Sequence, residues 1–153
     1  MKVIKIGGGC LNGCDTIADI MGLLATHGVG NVVVVSALNG VTDRLLSGMQ
    51  LALSNETAIP EHIAGLRELH HDTAADLISE TAPRSATLAT IDALLKRLER
   101  YYYGLNFTAE CTPRIKDIIA SVGERLCAQL LSGVMQARGI DAFCRLPEYI
   151  GLL

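Results

Sequence analysis

The chain has 153 residues, of which half are apolar and 19% are charged, and its formal net charge is -3. This length corresponds to about one domain, and the net negative charge without a basic stripe argues against binding to nucleic acid. A mean hydropathy of +0.35 is high for a self-sufficient domain, so we expect part of the apolar surface to meet a partner or further sequence.

The longest aliphatic run, residues 32–35, is too short to cross a bilayer, and the chain begins with a strand pattern and not with a signal peptide. We therefore expect no membrane contact and a cytoplasmic protein. Five cysteines without a C-x-x-C pair favour free thiols. No metal site is expected, because Cys10, Cys14, His70 and His71 lack a second pair at suitable spacing, and both histidines are predicted to be solvated.

The first element is a strand pattern over residues 2–6 that leads into three glycines, residues 7–9. Glycines let the backbone approach an oxyanion closely, and Lys5 adds a positive charge. A helix pattern begins near Asp15, and a helix start also favours anions. The stretch therefore predicts a phosphate site, although it is neither the Walker sequence nor the dinucleotide fingerprint, and a plain turn with a solvated lysine is the alternative.

Residues 31–36 form a second strand pattern, whose four valines are typical of a strand covered on both faces. Between the two strands, apolar residues recur at helical spacing until Gly28. Such a strand, helix, strand unit predicts parallel pairing with a right-handed connection, in an α/β fold. Residues 142–146 are a third strand candidate.

The middle of the chain is predicted to be helical. A helix is expected over residues 41–53, and a polar loop, residues 54–60, separates it from the next. Apolar spacing then predicts two helices, through residues 63–78 and 88–102, with the break between them at residues 82–84.

The last long helix has a clear start, since Thr112 supplies a hydroxyl cap and Pro113 suits the first helical position. The helix is expected to run to Arg138 and to stop at Gly139. Gly123 lies in its interior, so a bend or a break is expected there.

Three segments are informative together: Lys5-Ile-Gly-Gly, the run Val-Val-Val-Val-Ser-Ala-Leu-Asn-Gly-Val-Thr-Asp-Arg-Leu-Leu over residues 32–46, and Ser-Val-Gly-Glu-Arg-Leu-Cys-Ala over residues 121–128. In this order and at these separations, they closely resemble aspartate kinases of the amino-acid kinase family. The segment Thr-Pro-Arg-Ile-Lys-Asp over residues 112–117 fits as well. The resemblance implies a three-layer α/β/α sandwich with a mainly parallel central sheet.

The resemblance also implies roles for single residues. Lys5 would be the catalytic residue, contacting the ATP phosphates and stabilising the charge on the transferring group. Gly7, Gly8 and Gly9 would form the phosphate-binding loop, in which the first two supply backbone donors. Mg2+ would be bound through the ATP phosphates and not at a metal site of the chain.

Three residues would bind the amino-acid substrate, L-aspartate. Thr42 would help to hold it, Glu124 would pair with its α-ammonium group, and Ser36 lies within reach of the phosphate loop. Each also has a structural interpretation: Thr42 as a capping residue, Glu124 as a solvated helix glutamate and Ser36 as a residue that shapes the turn. Arg125 is expected to be a structural neighbour that pairs with a carboxylate.

The implied reaction gives 4-phospho-L-aspartate, which enters lysine, threonine and methionine synthesis. The β-carboxylate has an ordinary pKa of about 3.9, so it is ionised at neutral pH and needs no general base. Bringing two anions together in line, with their charge neutralised, is the main task.

Two departures from the family pattern modify this expectation. Gly9 and Cys10 stand where the family usually has Thr-Ser, and the chain is about half as long as the family's kinase domain. Residues 1–153 are therefore expected to be the N-terminal part of the domain, without the C-terminal nucleotide-binding half and without ACT domains, and to be inactive alone. A homodimer through helices of the middle region is also expected.

Two alternatives remain open from the sequence. One is a non-catalytic binding or assembly module on the same scaffold, which the loss of two hydroxyls at Gly9 and Cys10 would suit. The other is a different member of the family, such as a glutamate or carbamate kinase. The segments at residues 36–42 and 121–126 argue against this second alternative.

Overall fold

The computed structural model describes residues 1–151. In chain order the regular elements are β1 (Val3–Ile6), α1 (Cys14–His27), β2 (Val32–Val35), α2 (Val41–Ser54), α3 (Ile59–Leu77), α4 (Thr81–Thr108), α5 (Pro113–Ala120) and α6 (Val122–Ala137). Short 3-10 turns lie at Gly8–Cys10, Glu56–Ala58 and Pro147–Tyr149.

The two strands form a parallel sheet in which Val3 pairs with Val32 and Ile6 with Val35. Helix α1 supplies the crossover between them. The ladder continues beyond both ends of the paired residues: the Val32 N–H donates to the Lys2 carbonyl at 3.0 Å, and the Ser36 N–H donates to the Ile6 carbonyl at 3.1 Å. The predicted α/β class with a parallel sheet is therefore confirmed.

One face of this sheet packs on the core and the other is open. Ile6 is buried and Val35 half-buried, whereas Val3, Val32 and Val34 are 68%, 45% and 46% exposed. The expectation that the valine run is covered on both faces is wrong within residues 1–151, because no helix of this range covers the side from which Val32 and Val34 project. Of the three expected layers, the described residues form the sheet and the helices on one face.

Helix α4 lies at the centre of the helical layer, in contact with α2, α3 and α6. Its buried residues recur every three or four positions, which places them on one face of the helix: Ile91, Leu95, Leu98, Tyr102 and Leu105. The Tyr102 hydroxyl donates a hydrogen bond to the Leu45 carbonyl at 2.9 Å, which ties α4 to α2. Where α4 crosses α6, a Cβ at Gly133 would lie 2.0 Å from Thr87 Oγ1, so this crossing requires glycine.

The helix starts and ends follow the predictions in most places. Helix α2 occupies nearly the predicted residues, and the Thr112 side chain accepts a hydrogen bond from the Ile115 N–H at 3.3 Å, which confirms the predicted cap. The expected break near Gly123 occurs at Ser121, between α5 and α6. The predicted loop at residues 54–60 contains a 3-10 turn, and α3 already begins at Ile59.

The break between α3 and α4 was predicted at residues 82–84 and lies instead at residues 78–80. Pro83 is part of the first turn of α4. The N–H groups of a first turn have no partner inside the helix, so a proline there removes no hydrogen bond. Pro83 therefore marks the start of α4 and not a break between two helices.

Residues 142–146 form no strand, so that prediction is wrong. The segment is held through its backbone by side chains of α6: the Ala142 carbonyl accepts hydrogen bonds from Gln136 Nε2 at 2.7 Å and from Ser132 Oγ at 3.5 Å. These bonds attach the segment to a helix and not to the edge of β2. The segment therefore pairs with no strand among the described residues.

The prediction that both histidines are solvated is wrong for His70, which is fully buried, with Nδ1 2.7 Å from the Leu66 carbonyl oxygen. His70 follows Ile63 and Leu66 at helical spacing, so it belongs to the core face of α3. His71 is half-buried, and its Nε2 lies 3.1 Å from Asp92 Oδ1.

By length and composition alone, residues 113–137 could cross a membrane, since they include an 18-residue window of mean hydropathy 1.3. Half of that window is buried inside the fold. Core helices of soluble proteins meet the same test, and here the stretch comprises α5 and α6, which are separated at Ser121.

Candidate functional site

The glycine segment leaves β1 as a tight turn. After Gly7, a 3-10 turn is closed by two hydrogen bonds, from the Cys10 N–H to the Gly7 carbonyl at 3.0 Å and from the Leu11 N–H to the Gly8 carbonyl at 2.9 Å. The N–H groups of Gly8 and Gly9 donate to no backbone carbonyl of residues 1–151. The turn therefore offers unpaired backbone donors to a ligand, as anion-binding turns do.

Lys5 lies over this turn. Its side chain is exposed, and a Cβ placed on Gly7 would be 3.7 Å from the lysine Nζ. An ammonium group and free N–H donors thus lie side by side at the carboxyl end of β1. This combination can neutralise an anion from two directions.

The segment after β2 packs against the same turn. A Cβ on Gly8 would be 3.2 Å from the Ala37 carbonyl oxygen and 3.8 Å from Ser36 Cβ. The Asn39 N–H donates to the Leu11 carbonyl at 3.0 Å. The two segments therefore meet at the carboxyl edge of the sheet, where parallel α/β folds bind their ligands.

Helix α2 begins directly after this segment. Gly40, the residue before it, has a φ of 76°, a left-handed conformation that glycine adopts without strain. Thr42 lies in the first helical turn, half-buried, and its hydroxyl makes no hydrogen bond with any residue of 1–151. Thr42 does not act as a cap here, so its hydroxyl is available to a ligand.

Glu124 lies in the first turn of α6, which contacts the same region from the other end of the sequence. The preceding residue, Gly123, rests on the segment after β2, since a Cβ there would be 2.8 Å from Ala37 Cβ and 3.4 Å from Val41 Cγ1. Glu124 is exposed and forms no ion pair within residues 1–151. Its carboxylate is therefore without a charged partner among these residues.

Arg125, in contrast, is engaged within the fold. Its guanidinium pairs with Glu148, and its Nε donates to the Ser121 hydroxyl at 3.4 Å. The expectation that Arg125 pairs with a carboxylate is confirmed.

Ala37 is the residue that the sequence did not identify. Its carbonyl oxygen faces Gly8, and its Cβ faces Gly123, so one small residue touches both the glycine turn and α6. Alanine carries no chemical signal in a sequence. The sequence signal for this contact is limited to Gly8 and Gly123, two glycines that lie next to polar residues in their segments.

The thiols near the site differ in exposure. Cys10 is exposed on the glycine turn, whereas Cys127, one turn after Glu124, is buried. Burial, with a smaller contribution from the charge of Glu124, raises the pKa of the Cys127 thiol to about 12. No group of three or more metal-ligating side chains occurs within residues 1–151. The arrangement thus suits an anion at the glycine turn and a cationic group beside Glu124.

A model of the amino acid kinase family matches residues 1–151. The bifunctional aspartokinase/homoserine dehydrogenase 1 of Arabidopsis thaliana is 27% identical over 140 residues, which cover 91% of this chain and 15% of that protein. Aspartokinase 2 of the same plant is 28% identical over 151 residues, which cover 92% of this chain and 26% of that protein. The aspartokinase of Schizosaccharomyces pombe is 27% identical over 104 residues, which cover 67% of this chain and 20% of that protein.

The chain therefore spans between 15% and 26% of the length of these relatives. Among solved structures, Escherichia coli aspartokinase III in complex with lysine and aspartate matches with a TM-score of 0.71 at 20% identity. The match covers 92% of this chain and 30% of that one. At this identity, the likeness shows a shared fold.

Proposed function

The chain belongs to the amino acid kinase family, and we propose that it is the amino-acid-binding part of an aspartate kinase, which transfers a phosphoryl group from ATP to the β-carboxylate of L-aspartate. The observation that carries this proposal is the meeting of three distant segments at Ala37: the glycine turn, the start of α2 and the start of α6. The relatives named aspartokinase and the solved aspartokinase structure with aspartate support the choice of substrate.

In this proposal Lys5 and residues Gly7, Gly8 and Gly9 bind the phosphates of ATP. The unpaired N–H groups of Gly8 and Gly9 and the ammonium group of Lys5 would stabilise negative charge on the phosphoryl oxygens. Mg2+ would neutralise the nucleotide's phosphates when bound. Residues 1–151 offer no acidic cluster to hold that ion, so it would be carried by the nucleotide.

L-aspartate would bind across the same edge. Glu124 would pair with the α-ammonium group, and the hydroxyls of Thr42 and Ser36 would position the carboxylate that attacks. Since that carboxylate is ionised at neutral pH, the residues need only hold it in line and reduce the repulsion between two anions. The exposed Glu124 and the unbonded Thr42 hydroxyl support these roles.

The remaining parts of the proposal concern the assembly. We propose that the chain works with the C-terminal half of a kinase domain, and that it forms a homodimer in the cytoplasm. The open face at Val3, Val32 and Val34 supports a partner for the sheet, because parallel sheets are normally covered on both faces. Five free cysteines fit a reducing compartment.

A second candidate function is a non-catalytic module on the same scaffold. It is favoured by Gly9 and Cys10, which replace the two hydroxyls that the family usually carries on this turn. In the structure Gly9 has no neighbour near its Cβ position, so nothing fills the space that a side chain would occupy.

The test is a chimera in which residues 1–151 replace the matching segment of Arabidopsis aspartokinase 2, assayed by trapping the acyl phosphate with hydroxylamine. Turnover with L-aspartate and not with L-glutamate is expected. Lys5→Ala should lower kcat by about 100- to 1,000-fold, and Glu124→Gln should raise the KM for L-aspartate more than it lowers kcat.

Lys2→Ala is the matched control, since Lys2 is also exposed and adjoins β1 but does not lie over the turn. Its activity should stay close to that of the parent chimera. A chimera that folds without turnover would favour the non-catalytic module. The 153-residue chain alone is expected to show no activity in the same assay, and robust turnover by it would contradict the half-site proposal.

A further inference from the structure

A cavity of about 690 Å3, away from the site described above, lies between α4, the α5–α6 junction and the turn at Pro147–Tyr149. Its apolar wall is formed by Leu94, Ile118, Val122 and Pro147. The volume is within the range of roughly 300 to 1,000 Å3 typical of small-molecule sites. None of the residues assigned to the phosphate or aspartate site lines it.

Charged groups surround the apolar wall. Three arginines, Arg97, Arg114 and Arg125, line the cavity together with two carboxylates, Asp117 and Glu148. Three positive charges against two negative ones leave an excess of one positive charge. A cavity with this lining favours an anion that also has an apolar part.

One carboxylate of the chain already occupies part of the arginine cluster. Glu148 pairs with Arg125, whose side chain is only 15% exposed. The hydrogen bond from Arg125 holds the pKa of the Glu148 carboxyl below its ordinary value, and the charges of Arg125 and Arg97 act in the same direction. The cavity thus stabilises a carboxylate in its ionised form.

Beside Leu146, which is buried, the turn that carries Glu148 makes only local backbone hydrogen bonds within residues 1–151. These bonds run from the Tyr149 N–H to the Leu146 carbonyl at 2.9 Å and from the Ile150 N–H to the Pro147 carbonyl at 3.2 Å. A competing carboxylate could therefore take its place at Arg125 without breaking a helix or a strand.

The other two arginines are accessible. The Arg97 guanidinium lies 5.9 Å from the centre of the Tyr101 ring, with Nη2 3.4 Å from the Tyr101 hydroxyl. Arg114 is exposed and forms no ion pair with any residue of 1–151. Both guanidinium groups are therefore available at the mouth of the cavity.

We propose that this cavity binds a small amphipathic carboxylate. Its carboxylate pairs with Arg97 and Arg114 and competes with Glu148 for Arg125, while its apolar part lies on the wall formed by α4 and the α5–α6 junction. The inference rests on this lining alone and is independent of the kinase activity proposed above.

The test measures the affinity of the 153-residue chain for 3-phenylpropanoate and for 3-phenylpropanamide, by ligand-observed NMR titration. The two probes share an apolar body, and only the first is charged. The carboxylate should bind about fivefold more tightly or better, a modest factor because the arginines are partly solvated. Equal affinity for the two probes would overturn the proposal.

Variants localise the binding. Arg97→Gln and Arg114→Gln should each weaken binding of 3-phenylpropanoate about threefold, whereas Glu148→Gln should strengthen it about threefold by removing the internal competitor. Lys96→Gln is the matched control, because Lys96 is an exposed neighbour of Arg97 that does not line the cavity.

Arg97 and Arg114 have exposed side chains, so their variants should fold normally, which circular dichroism checks. Arginine variants that bind like Lys96→Gln would overturn the proposed site. If the arginine variants weaken binding and Glu148→Gln leaves it unchanged, the site stands and the competition with Glu148 is refuted.

Discussion

Replacing Gly123 by alanine tests whether the start of α6 rests on the segment after β2. The added Cβ would lie 2.8 Å from Ala37 Cβ and 3.3 Å from Leu45 Cδ1. Carbon atoms in contact prefer a separation of about 3.5 to 4.0 Å. The leucine end can rotate away, but the alanine Cβ is fixed to the backbone, so α6 or the segment must shift.

Two effects of opposite sign set the magnitude. Alanine is more favourable than glycine by about 1 kcal/mol inside a helix, and by less at Gly123, the second residue of α6, whereas overpacking a closely fitted contact costs about 1 to 3 kcal/mol. We therefore expect Gly123→Ala to lower the free energy of unfolding by about 1 kcal/mol net. Gly104→Ala, on α4, meets nothing within 4 Å and should gain up to about 1 kcal/mol.

Urea unfolding followed by circular dichroism measures both changes through the midpoint at constant slope. In the double variant Ala37→Gly/Gly123→Ala the opposing methyl is absent, so most of the steric cost should disappear. A coupling between the two positions is then expected, as for residues in direct contact. If Gly123→Ala stabilises the protein as much as Gly104→Ala, α6 does not rest on Ala37, and the geometry proposed for Glu124 fails with it.

Three further experiments test buried side chains. Burial lowers the pKa of His70, so the unfolded chain binds a proton at this residue more readily than the folded one. The urea midpoint should therefore fall as the pH drops below about 6.5, and it should fall less steeply in His70→Gln. An equal dependence of the midpoint on pH in the two proteins would contradict this. At mildly alkaline pH an aromatic disulfide reagent should label exposed Cys10 in the native protein and reach Cys127 only after denaturation, because burial raises the pKa of Cys127 to about 12. Tyr102→Phe, which removes the donor to the Leu45 carbonyl, should cost about 1 kcal/mol in urea unfolding, and an unchanged midpoint would show that the bond contributes nothing.

The sequence predicted those elements whose determinants are local. The strand, helix, strand unit follows from apolar periodicity and from Gly28, and the start of α5 follows from a capping threonine with proline after it. Each of these signals acts within a few residues. The structure reproduces them because no long-range contact opposes them.

The predictions were wrong where the structure of a segment depends on its tertiary contacts. Residues 142–146 are mostly apolar, which is compatible with a strand, yet a strand needs a paired neighbour, and side chains of α6 bind this backbone instead. The four valines of β2 read like a buried strand, although only one face of the sheet meets helices of the described chain. The polar neighbours of His70 in the sequence predict a solvated side chain, whereas its position on the core face of α3 decides that it is buried.

The candidate site depends partly on local sequence signals and partly on long-range contacts, and only the local part could be predicted from the sequence. Lys5 and the glycines next to it were identifiable because a turn that binds anions needs those residue types together. The meeting of the start of α6, which carries Glu124, with the segment that packs on that turn could not be read from spacing, since more than a hundred residues separate α6 from the turn. It depends on a steric fit in which Gly8 and Gly123 lack side chains and Ala37 has the smallest one. Enlarging any of the three would separate the proposed phosphate and ammonium sites without altering a single polar residue.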